Sequence, residues 1–92
     1  NVHPAYVAEV LALHPGVAAC VVRLMRPDEG TRLKAFVVPG EGAEPGPLRA
    51  ALAAWIAERL TPAERPAAYS FGAALPRQPG GKPADWIIDA WD

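Results

Sequence analysis

The chain has 92 residues, 51% of them hydrophobic, with ten acidic and nine basic side chains and a formal net charge of −1. That length is one domain near the lower end of what folds alone. The balanced charge, with no basic patch interleaved with aromatics, argues against a nucleic-acid partner, and no apolar run approaches the length of a membrane span.

Cys20 is the single cysteine. It rules out an internal disulfide, suits a reducing cytoplasm, and within an apolar run reads as a small core residue. The chain opens on Asn1-Val2-His3-Pro4, without Met and without a signal-peptide pattern, as expected of a piece of a longer cytoplasmic polypeptide.

Pro4 suits the first helical position, where its missing N–H costs nothing. Val7, Val10, Leu11 and His14 follow at three- and four-residue spacing, so a helix is expected over 4–14, stopped by His14-Pro15-Gly16. Residues 17–25 are β-rich and apolar on both faces, which predicts an interior strand. Pro27-Asp28-Glu29-Gly30 reads as a tight turn. Residues 32–38 return as a second strand, closing a hairpin. After a polar loop over 40–46, Pro47 opens a second helix over 47–60. Leu48, Leu52, Trp55, Ile56 and Leu60 form its apolar stripe. A short third strand is expected over 67–72, with Tyr69 and Phe71 on one face. After the next loop, Pro83 is expected to open a last helix lined by Trp86, Ile87, Ala90 and Trp91. The order α-β-β-α-β-α predicts an α+β domain with a small, mostly antiparallel three-stranded sheet packed with helices. The three tryptophans read as core or domain-interface packing.

The usual catalytic and metal-binding patterns are missing. His3 and His14 belong to no ligand-spaced cluster, and no Cys-x-x-Cys, His-Glu-x-x-His or carboxylate cluster occurs, so no metal site is expected. Ser70 is the only serine and sits in no nucleophile elbow. Gly80-Gly81-Lys82 departs from a phosphate-binding P-loop because Pro83 follows the lysine. The most informative segment is Leu75-Pro76-Arg77-Gln78-Pro79-Gly80-Gly81-Lys82, a stiff polar loop ending in one of only two lysines. By composition alone such a loop reads as a solvated turn. Lys82 must otherwise act with something outside the chain, as a compact point charge on a flexible stem.

Six motifs in order give the chain a resemblance. They are Asn1-Val2-His3-Pro4 with Val7-Ala8-Glu9-Val10-Leu11; His14-Pro15-Gly16-Val17; Pro27-Asp28; Lys34-Ala35-Phe36-Val37-Val38; Leu60-Thr61-Pro62 with Arg65-Pro66; and Leu75-Pro76-Arg77 with Gly81-Lys82. Together they resemble the small C-terminal subdomain of the adenylate-forming enzymes: acyl- and aryl-CoA synthetases, nonribosomal peptide synthetase adenylation domains and luciferases. The sequence departs from that pattern at Ala63-Glu64, where Tyr-Lys is common, at Gly80, where Asn or Ser is frequent, and at Pro83-Ala84-Asp85-Trp86, where a basic helix often follows.

The resemblance implies that residues 1–92 are a mobile lid for a large N-terminal domain that holds ATP, Mg²⁺ and a carboxylic acid. Lys82 would be the catalytic lysine of acyl-adenylate formation, on a loop where Gly80 and Gly81 permit close approach and Arg77 adds positive potential. The lid would then rotate for transfer to coenzyme A or to a carrier protein's phosphopantetheine. The fragment alone would be inactive. The pattern Pro76-x-x-x-x-Gly81-Lys82 further resembles one recognised by bacterial protein acetyltransferases, which would neutralise Lys82. CoA ligase is the first reading, a carrier-protein-loading adenylation domain the second, and a non-catalytic α+β interaction module the third.

Overall fold

The structure, a computed structural model, describes residues 1–88. Helix α1 (Pro4–Ala12) starts at Pro4 behind an extended His3 and buries Val7, Val10 and Leu11. At its end the Gly16 N–H donates to His14 Nδ1 at 3.0 Å, and the Val17 N–H donates to the His14 carbonyl at 3.0 Å. Strand β1 (Val17–Leu24) pairs antiparallel with β2 (Leu33–Pro39), with Val22 opposite Ala35 and Arg23 opposite Lys34. Helix α2 (Pro45–Arg59) begins two residues before the expected Pro47, because proline is accommodated throughout a helix's first turn. It buries Leu48, Leu52 and Ile56. Thr61 opens a 3₁₀ turn (Pro62–Glu64), with a reciprocal bond from its backbone N–H to the Glu64 carboxylate at 2.8 Å.

Strand β3 (Ala68–Phe71) then lies parallel to β2, with Ala35 opposite Tyr69 and Phe36 opposite Ser70. The fold is α+β as expected, and its three-stranded sheet is mixed, in the order β1-β2-β3. The parallel pairing follows from α2, a crossover long enough to bring the chain back to the same end of the sheet. Tyr69 and Phe71 share a face, their rings stacked at 6.4 Å.

Two expectations are corrected. Strand β1 is an edge strand, and β2 is the interior one. Apolar residues on both faces of a strand report that both faces are covered, which says nothing about pairing along its two edges. Nor do residues 83–88 form a helix. Two groups there are committed elsewhere: the Ala84 N–H donates to the Pro76 carbonyl at 3.2 Å, and the Trp86 carbonyl accepts from Lys34 Nζ at 2.9 Å. Ala90 and Trp91, also expected on that helix, lie outside the described residues.

Side chains alternate across a sheet, and here the two sets meet different layers. Leu33, Ala35, Val37, Val22 and Tyr69 join Val7, Leu11, Leu48, Leu52 and Ile56 in the core between sheet and helices. Lys34 and Phe36 belong to the alternate set. They meet the C-terminal arm (residues 72–88): the Phe36 and Trp86 rings stand edge-on at 5.7 Å, and Lys34 is wholly buried. The sheet is thus covered by helices on one side and by an irregular arm on the other. That arm carries Lys82.

Candidate active site

Residues 77–83 form a small hairpin. Arg77 and Pro83 pair as an antiparallel bridge. The Gln78 N–H donates to the Lys82 carbonyl at 2.7 Å, and the Gly81 N–H to the Gln78 carbonyl at 2.9 Å. Pro79 and Gly80 are the central residues of that four-residue turn. Proline presets φ at the first of them, and glycine accepts the positive φ required at the second. Gly80 has φ 99° and Gly81 φ 89°. A Cβ at either position would meet nothing within 4 Å. Within this chain, backbone conformation and not close approach is what demands glycine there.

Arg77 serves the hairpin from inside. Its Nη1 donates to the Gly81 carbonyl at 3.1 Å, bracing the loop on which Lys82 sits. Lys82 is exposed, and its ammonium makes no hydrogen bond or ion pair among the described residues. The hairpin brings together the four residues singled out from sequence: Arg77, Gly80, Gly81 and Lys82.

Sequence reasoning missed what holds this hairpin in place. Lys34 Nζ lies 2.8 and 3.0 Å from the two Glu29 carboxylate oxygens, 2.8 Å from Asp85 Oδ1, 2.9 Å from the Trp86 carbonyl and 4.9 Å from the centre of the Trp86 ring. Arg26 Nη1 donates to Asp85 Oδ2 at 2.9 Å, and Arg23 Nε stands 3.6 Å from Asp85 Oδ1. Three cations from β1, the following turn and β2 therefore converge on a carboxylate three residues beyond Lys82. Two signals existed in the sequence: a charge at an alternate position of an otherwise apolar strand, and an acid where the resemblance leads one to expect bases.

The carboxylates respond accordingly. The hydrogen bond from Lys34, the Arg26 backbone N–H and the nearby cations hold the Glu29 carboxyl below its ordinary range. Burial works to raise that of Asp85. The bond from Lys34, a backbone bond at Trp86 and the fields of Lys34 and Arg23 outweigh burial and lower it.

Beside the hairpin base a cavity of about 210 Å³ opens between Cys20, Val21 and Arg23 on one side and Leu75, Pro76 and Pro83 on the other. Burial pushes the Cys20 thiol up to about 12, so it stays protonated at neutral pH and unreactive. Far from the arm, Trp55 packs edge-on against His14 at 5.1 Å and donates from Nε1 to the Val10 carbonyl at 2.9 Å, joining α1 to α2. Among the described residues no group of three or more His, Cys, Asp or Glu could hold a metal, and no helix is long and apolar enough to cross a membrane.

The fold is one that known proteins share. The family model of the AMP-binding enzyme C-terminal domain matches residues 6–82. The chain belongs to that family. Over 83 residues it is 46% identical to a 4-coumarate–CoA ligase of Halorhodospira halophila, covering 89% of this chain and 21% of that protein. Over 84 residues it is 42% identical to the fatty acid–[acyl-carrier-protein] ligase ScoC of Streptomyces coeruleorubidus, covering 89% and 16% respectively. The solved amide bond synthetase McbA of Marinactinospora thermotolerans superposes with a TM-score of 0.72 at 36% identity, over 90% of this chain and 17% of that one. The chain thus spans about a fifth of the length of the curated relatives it matches.

Two outcomes are expected of the loop and its anchor. Gly81→Ala meets no steric obstacle but must hold a positive φ, at a cost of about 1–2 kcal/mol. Amide exchange at Gln78 and Gly81 should quicken accordingly. Gly46→Ala, in equally open space on α2, should leave these amides unchanged. The anchor should also be acid-labile. Both carboxylates have lowered folded-state pKa values. Their contribution is therefore complete above the ordinary carboxylate pKa of about 4 and is lost as pH falls through the folded values. In an NMR titration, Trp86 amide protection should hold from pH 7 to about 4 and fall below it, ahead of the protection of β2.

Proposed function

We propose that this chain is the C-terminal lid of a longer AMP-forming carboxylic acid:CoA ligase, and that Lys82 is the residue it lends to acyl-adenylate formation. The observation that carries the reading is Lys82 itself, exposed and without a partner among the described residues, on a hairpin held by its own backbone bonds. A charge presented in this way is available to an anion outside the chain.

The chemistry calls for such a charge. A carboxylate oxygen attacks the α-phosphorus of ATP, forming the acyl–phosphate bond, while the bond to the β-phosphate breaks and pyrophosphate leaves. Two anions approach, and charge grows on the phosphoryl oxygens. A cation placed between them offsets the repulsion and stabilises the transition state. Lysine suits this role as a single charge on a movable stem.

In the second step a thiol sulfur attacks the acyl carbonyl, AMP leaves, and the thiol proton passes to solvent or to a base. Lys82 has no part in that step, so the lid rotates to withdraw it. ATP with its Mg²⁺, and the acid, belong to the N-terminal domain on this reading, and the 92-residue chain alone is inactive. Coenzyme A is the acceptor best supported, because relatives named as CoA ligases cover nearly all of this chain. A carrier-protein thiol is the second reading, favoured by the likeness to ScoC. A cytoplasmic location suits both. The acetyltransferase expected at Lys82 finds no support among these relatives.

The test is acid-dependent ATP–pyrophosphate exchange by the full-length enzyme that carries this chain. Lys82→Ala should lower exchange by about 100-fold or more, the scale of losing one preorganised electrostatic group. Thioester formation from preformed acyl-adenylate should continue. Unchanged exchange would make Lys82 an ordinary surface lysine.

A further inference from the structure

The hairpin that carries Lys82 has no side chain of its own in the helix-side core. Arg77, Gln78, Pro79, Gly80, Gly81, Lys82 and Pro83 are all exposed. Its orientation relative to the sheet must be set at its base. There the chain has little slack: the Lys82 carbonyl is tied to Gln78 and the Ala84 N–H to Pro76, while Pro83 has a fixed φ. After Ala84 comes Asp85, whose carboxylate meets Lys34 at 2.8 Å, Arg26 at 2.9 Å and Arg23 at 3.6 Å. The residue after that is Trp86, buried between Phe36 and the Lys34 ammonium.

We propose that Asp85, gripped by the buried Lys34, is a positioning residue that aims Lys82 for the adenylation step. The proposal rests on the reading of Lys82 given above. The ion pair fixes the base of the hairpin to the centre of the sheet, and the hairpin transmits that position to the lysine. Without it, Trp86 still packs and the arm stays attached, but the direction in which Lys82 points spreads over several orientations. Loss of alignment on the ångström scale costs about 100-fold in a positioned reaction. The effect should fall on the step that uses Lys82 and spare the step that does not.

Asp85→Asn is the suitable variant, since Lys34 keeps Glu29 and the Trp86 carbonyl as partners and no buried charge is stranded. Lys34→Met, close in volume and uncharged, removes the same grip from the other side. Both are made in the full-length enzyme beside Lys82→Ala. The expected result for Asp85→Asn is a fall of about 10- to 100-fold in kcat for ATP–pyrophosphate exchange, with KM for ATP and for the acid within about twofold and thioester formation from preformed acyl-adenylate unchanged. Lys34→Met should reproduce this split. If it fails to fold, Asp85→Asn decides alone. Equal losses in both half-reactions would overturn the proposal, since a merely structural role would slow both. Exchange unchanged in Asp85→Asn but lost in Lys82→Ala would overturn it too, leaving the role of Lys82 intact. Exchange unchanged in Lys82→Ala would sink the underlying reading instead.

Discussion

An ammonium placed beneath a protein surface must be given back the hydrogen bonds that water supplied, or the fold bears a large desolvation cost. Lys34 stands in that position at the centre of the sheet, wholly buried. Glu29 in the hairpin turn, Asp85 and the Trp86 carbonyl in the arm surround its Nζ. Satisfying this one cation obliges segments distant in sequence to meet. The β1–β2 turn folds back over the strand, and the arm crosses the sheet and gives up helical hydrogen bonding over residues 83–88. Exposed pairs such as Arg26–Asp28 contribute little beside this, because solvent screens them. Through Asp85 and the Trp86 carbonyl, Lys34 ties the centre of the sheet to the arm that carries Lys82.

The helices and strands were legible from spacing and punctuation. Val7, Val10 and Leu11 on α1, and Leu48, Leu52 and Ile56 on α2, occupy the buried positions that their periodicity assigned. Thr61-Pro62 ends the second helix where proline chemistry puts the break. The edge position of β1 was not legible, because strand order is decided by pairing partners and hydropathy reports only the faces. The parallel β2–β3 pairing did have a signal, the long helix that separates the two strands. The last helix was misread because Pro83, Trp86 and Ile87 carry a helix-like pattern locally, while the carbonyl of Trp86 answers to a lysine 52 residues earlier.

The candidate site divides along the same line. Local chemistry picks out its hairpin: Pro79 and Gly80 specify the turn, and Lys82 is a rare lysine at its end. The anchor is a long-range arrangement. A lysine within an apolar strand and an acid just after Lys82 are weak signals taken one at a time, and only the register of Arg23 opposite Lys34, with the arm laid across them, brings the two together. The domain couples a rigid base to an exposed tip. Such a coupling is what the lid role proposed above requires, since one charge would have to reach a site built by another domain and then be withdrawn.

The measurement that bears most directly on this account is a double-mutant cycle between Lys34 and Asp85, with Lys34→Met, Asp85→Asn and the pair compared by denaturant unfolding of the 92-residue chain. The two changes should be strongly non-additive, with a coupling of about 1 kcal/mol or more. Once either partner is gone, changing the other should cost less than it does in the unaltered chain. Additivity within about 0.3–0.5 kcal/mol, the range found for independent sites, would contradict it. The pair would then be a bystander, and the placement of the arm would rest on Trp86 packing and the Arg26–Asp85 contact.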